Sequence, residues 1–181
     1  SNGPVNIGAN QSFANLSGDS AVTVSAGAPT LTINDSLNTT FSGAIAGATL
    51  TKTGNGVLTL TGSNSLTGNL FAKAGGLALE TGSISANSYV SIGQSGTDAG
   101  TLTLKGIANF TGNNDFNVGD VGSSVGTFNL QDTATLTANA IYIGSANSSG
   151  STASGTVNQT AGSVTELNTT AGTFCIGGRA T

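Results

Sequence analysis

The groups able to move protons near neutral pH are eight carboxylates and one thiol; the sequence contains no histidine. The carboxylates are Asp19, Asp35, Glu80, Asp98, Asp115, Asp120, Asp132 and Glu166. Acid–base cleavage of a sugar needs two of them, or one with Lys or Arg, converging on one face. Asp115 and Asp120 come nearest, but they flank one strand-like segment instead of facing each other. The bases Lys52, Lys73, Lys105 and Arg179 are scattered. No catalytic residue is therefore expected, and the chain reads as non-enzymatic.

Calcium takes oxygen ligands, and Asp98, Asp115, Asp120 and nearby Asn side chains are the candidates. Asp98-Ala99-Gly100 and Asp120-Val121-Gly122 are ordinary turn sequences, and the Gly/Asp nonapeptide of calcium-binding coils is missing. Neither a metal site nor a cofactor is expected. Cys175 is alone, which excludes an internal disulfide framework. It falls beside Tyr142 in the repeat alignment below, so this pair is marked as an interface candidate. Asn147 opens an Asn-x-Ser triplet in a Ser/Gly-rich loop and is the candidate glycan-bearing position.

The stretch that must position these groups is Leu50–Leu79, where short apolar bursts (57–60, 70–71, 77–79) are separated by Gly, Asn and Ser. Alternation bounded by turn formers predicts half-buried strands, and the repeated glycines exclude a helix. Charged residues make up 7% of the chain, against roughly 25% in ordinary soluble proteins. Ser, Thr, Asn and Gly take their place, and these can stack above copies of themselves without like-charge repulsion. The net charge is −4 with no basic stripe, so nucleic acid is not an expected partner. No apolar run is long enough to span a bilayer as a helix, so membrane insertion is not expected.

Four segments share an apolar-x-Ile/Val-Gly pattern: 90–93, 116–119, 141–144 and 174–177. A Gly-Thr motif follows the first three, at Gly100, Gly126 and Gly155. Alignment gives one column of Ile92, Val118, Ile143 and Ile176, and another of Val90, Phe116, Ile141 and Phe174. Both are expected to point inward as the core stack, with Ser91, Asn117, Tyr142 and Cys175 pointing outward between them. Three short strands per turn then predict an all-β, right-handed parallel β-helix of about seven coils with a period near 25 residues. Stacked at the usual strand spacing, such a body is about 35 Å long. We read 1–181 as a single domain: irregular N-terminal coils over 1–49, a first repeat over 50–79, and Ile/Val-Gly coils over 80–181. It is expected to be a fragment or a stacking subunit. Val5-Asn6-Ile7-Gly8 is expected to be an early copy of the Ile/Val-Gly motif, and 145–154 a protruding loop.

Residues 38–64 (NTTFSGAIAGATLTKTGNGVLTLTGSN) resemble the autotransporter-associated β-strand repeat of bacterial type V secreted passengers. The usual Tyr-Thr-Gly that follows is Leu66-Thr67-Gly68 here. The later coils resemble repeats shared with PEP-CTERM-type surface proteins. The resemblance implies an extracellular or bacterial cell-surface location and brings no catalytic residue. The expected function is a non-enzymatic structural one, a stalk or filament body that associates head to tail with itself. The alternative is an adhesin that binds polysaccharide or a host surface through its loops, with Tyr89 or Tyr142 stacking on a sugar ring.

Overall fold

The computed structural model describes residues 5–19, 22–24 (as backbone), 29–145, 150–168 and 173–177. The alternation becomes twenty strands: β1 (Val5–Ile7), β2 (Gln11–Phe13), β3 (Val22–Val24), β4 (Thr30–Asn34), β5 (Thr39–Phe41), β6 (Ile45–Ala46) and β7 (Thr49–Thr53). Next come β8 (Val57–Leu60), β9 (Ser63–Leu66), β10 (Leu70–Ala72), β11 (Ala74–Leu79), β12 (Ser83–Ala86), β13 (Val90–Ile92) and β14 (Ala99–Leu104). The last six are β15 (Asn109–Val118), β16 (Val125–Leu130), β17 (Thr135–Ile143), β18 (Ser154–Gln159), β19 (Ser163–Glu166) and β20 (Phe174–Ile176). No helix occurs among the described residues.

Every pairing between these strands is parallel. They form two sheets. A fourteen-stranded sheet has two limbs, β1-β3-β6-β9-β12 and β2-β4-β7-β10-β13, which meet at β15 and continue through β17 to β19 and β20. The six-stranded sheet runs β5-β8-β11-β14-β16-β18. Residues 109–112 of β15 pair with one limb and 116–118 with the other, with a register shift between Gly112 and Asp115. A shift of this kind bends a strand and strengthens its local twist, so the larger sheet curls back on itself.

The expectation of a right-handed parallel β-helix is corrected by this connectivity. Two of the three short strands expected in each turn are one continuous strand at β15 and again at β17, so the strands sort into one curled and one smaller sheet instead of three faces of a solenoid. All-parallel sheets are otherwise usual where helices cover both faces. Here the two sheets cover each other.

The period near 25 is corrected too. Leu31 pairs with Leu50, Leu50 with Leu70 and Leu70 with Val90, which are intervals of 19, 20 and 20 residues. Only from Val90 onward do the intervals lengthen, to 26 for Phe116 and 25 for Ile141. The cause is local: Lys73 alone joins β10 to β11, whereas Gly93–Asp98 joins β13 to β14. Val5–Gly8 is also displaced from its expected column. β1 pairs with β3 in the opposite limb, and the place beside Leu31 and Ile33 belongs to Gln11 and Phe13 of β2.

The core lies between the sheets. Phe116 of the curled sheet meets Phe128 of the smaller one with ring centres 5.2 Å apart and planes at 72°, and Phe110 meets Phe116 at 5.7 Å and 82°. Edge-to-face rings of this kind add about 0.5–1.5 kcal/mol beyond their burial. Leu58, Leu77, Leu102 and Phe128 form a matching inner column on the smaller sheet.

Both repeat glycines have a backbone reason. Gly93, Gly119, Gly144 and Gly177 all hold φ between 64° and 76°, the left-handed region that turns the chain off the strand end. The glycine of the Gly-Thr motif serves close approach: a Cβ on Gly126 would collide with the Ile92 carbonyl and the Gly119 amide nitrogen.

Candidate binding face and the buried polar groups

The expected core stack is in register: Val90, Phe116, Ile141 and Phe174 pair in turn, as do Ile92, Val118, Ile143 and Ile176. The first three of each are buried, whereas Phe174 and Ile176 are 52% and 73% exposed. Their place in the core is corrected because, among the described residues, no strand pairs beyond β20. Phe174, Val157 and Val164 instead line an apolar hollow of ≈ 100 Å³ over Phe116, Phe128 and Ile141.

The column between them is corrected as well. Ser91, Asn117 and Tyr142 were expected outside but are buried, Tyr142 to 4% exposure. Gly119 turns the chain back so that Asp120 lies across this column. The Asp120 carboxylate, 4% exposed, accepts from the Tyr89 hydroxyl, from Ser91 Oγ at 3.4 Å and from Ser145 Oγ at 3.2 Å, while its own amide donates to Ser124 Oγ at 3.1 Å. Asp120 N to Gly93 O (3.0 Å), Val121 N to Gln94 O (3.2 Å) and Ser145 N to Gly119 O (2.9 Å) stack these loops on one another. Tyr89 also packs on Phe71 at 6.2 Å. Tyr142 is thus closed to a sugar, while Tyr89 is half-exposed with its hydroxyl held by Asp120 and its ring against Phe71. Cys175 pairs with Tyr142 and is half-buried. Asn147 and Arg179 lie outside the described residues.

Two buried polar residues in inner columns, Lys52 and Asn64, escaped the sequence reading. Lys52 sits between Ile33 and Ala72 and is fully buried. Its Nζ donates to the carbonyls of Thr53 (2.6 Å), Gly54 (3.1 Å) and Ala74 (3.5 Å). Burial lowers its pKa below the ordinary 10.5, and the nearby Asp35 charge pulls the other way. Asn64 stands beside Ile84 and is satisfied by Ile45 N, Gly62 O and Ser83 O at 2.9–3.2 Å. The signal for Lys52 was present: Leu31-Thr32-Ile33, Leu50-Thr51-Lys52 and Leu70-Phe71-Ala72 align once the shorter interval is used.

The acids do not converge. Asp115 lies at the register shift, Asp120 is buried, Glu80 pairs with Lys105 at 3.3 Å and Asp98 with Lys73 at 3.7 Å. Among the described residues no group of three or more acids or cysteines is placed to hold a metal ion.

What the fold does assemble is an outward polar array on the limb β9-β12-β15-β17-β19. Ser63, Ser83, Asn109, Thr135 and Ser163 pair in one column. Two residues along each strand, Ser65, Ser85, Thr111, Thr137 and Thr165 pair in another. All are exposed or half-exposed. Strand spacing and rise put the groups about 4.8 Å apart across strands and about 6.6 Å apart along them. No hydrogen bond joins these side chains to each other. The smaller sheet differs: Asn129 Nδ2 donates to Thr103 Oγ1 (3.2 Å) and Asn158 Nδ2 to Asn129 Oδ1 (2.9 Å), so that ladder is stitched to itself.

No family model matches the chain, and no curated protein or solved structure matches it.

Proposed function

We propose that the chain is a non-enzymatic structural module of an extracellular or bacterial cell-surface protein, a body of stacked parallel strands that associates end to end with copies of itself. The observation that carries this reading is the unbroken inner column of Leu31, Leu50, Leu70, Val90, Phe116 and Ile141, each buried against the next. Each added strand contributes one more buried residue to this column, so the body extends by adding strands without a new kind of contact. The sparsely charged, Ser/Thr/Asn-rich exterior supports it, since little of its stability depends on screened surface charge. The likeness of 38–64 to an autotransporter repeat supports the surface location.

The exposed Phe174 and Ile176 beside the apolar hollow are the surface that a further copy would cover, with β2 of that copy continuing the column past β20. Sedimentation velocity over a concentration series tests this. We expect a rising weight-average mass that Ile176→Asp reduces to the monomer. A monomer at every concentration would overturn self-association through that surface. The second reading, a surface-binding adhesin, is favoured by the outward hydroxyl array.

A further inference from the structure

We propose that the hydroxyl array on the curled sheet binds an extended, uncharged polysaccharide laid across the strands. The inference rests on the adhesin reading and moves the contact from the loops to the sheet face. Three observations select the ligand. The array holds no charged and no aromatic side chain, so neither an anionic polymer nor a single stacked sugar ring finds its usual partner on it.

Its polar side chains are unsatisfied by one another, in contrast to the Thr103–Asn129–Asn158 ladder, and so keep their donors and acceptors for a ligand with the same chemistry. Its extent also argues against a protein. Five strands by two columns, with the flanking Asn87–Asn113 amide pair (2.8 Å), cover about 250 Å² at standard strand dimensions. A stable protein interface needs about 800 Å² per partner and buried aromatic or Arg anchors. A chain of repeating hydroxylated units meets a periodic row of hydroxyls at many points, so weak single contacts add by multivalency.

Co-sedimentation with insoluble cellulose and chitin tests the proposal, with an insoluble anionic polymer and a glycan-free resin as controls. We expect the protein to pellet with at least one of the neutral polymers. Thr111→Val with Thr137→Val, isosteric changes at half-exposed positions, should weaken retention about tenfold at an unchanged melting temperature. Thr101→Val with Thr127→Val on the other sheet should leave it unchanged. No retention on neutral polymers overturns the proposal, and so does equal retention by the Thr111/Thr137 variant. Retention on the anionic polymer alone, or ice shaping by the wild-type protein without polymer binding, also overturns it. None of these outcomes bears on the sedimentation test of the structural reading.

Discussion

Lys52 shows how a charged residue is carried in an apolar column. Its amine is drawn to three backbone carbonyls at a turn where Gly54 has φ 74°. The folded pKa lies below 10.5, so between that value and 10.5 the unfolded chain binds more protons than the folded one. Stability from this group therefore rises with pH through that window and is fully present only above 10.5. Urea unfolding at several alkaline pH values should show that rise, and Lys52→Met should flatten it. Lys52→Met removes a buried charge but also takes the donor from the carbonyls of Thr53, Gly54 and Ala74, so the two effects offset and stability at pH 7 should change by less than about 2 kcal/mol.

Asp120 is the opposite case, a buried carboxylate whose partners are supplied by three chain segments. Asp120→Ala should cost about 2–4 kcal/mol in urea unfolding, since it leaves buried hydroxyls unpaired. Glu80→Gln, which breaks a surface pair, should change stability by less than about 1 kcal/mol. Neither role was legible at the residue level. A lone Lys or Asp between apolar segments reads as a solvated corner until the register places it.

At the scale of elements the sequence was more informative. Alternation in Val90–Ile92, Phe116–Val118 and Ile141–Ile143 identified strands and their mutual register, because side chains two apart share a face. The two repeat glycines were also visible as motifs, but their reasons were not, since close approach and left-handed φ belong to the assembled backbone. These reasons predict different costs. Gly126→Ala drives a Cβ into backbone on two sides and should destabilise by about 3 kcal/mol or more, read from the melting temperature. Gly96→Ala has φ 59° but open space around it, and should cost about 1–2 kcal/mol. The outward column was legible only in part. Alternation places Ser91 and Asn117 outside their strands, but nothing in it reveals that the loop carrying Asp120 returns to cover them.

At the scale of the whole molecule, all-β character and parallel stacking followed from the repeats, while the arrangement of the stacks did not. The regular copies lie in the C-terminal half, where Gly93–Asp98 and Gly119–Ser124 lengthen each turn, so the period taken from them overstates the N-terminal intervals. Fusion of two strands into β15 and β17 depends on the bend at Gly112–Asp115, which the expected corner residues did not distinguish from a turn.

Electron microscopy of the purified protein at rising concentration shows directly whether the body extends by end-to-end stacking. The limb from Gln11 to Phe174 holds eight paired positions, so one subunit should advance about 38 Å along a filament. Filaments with that axial repeat are expected, and Ile176→Asp should abolish them. Separate particles of one size at every concentration would contradict end-to-end stacking.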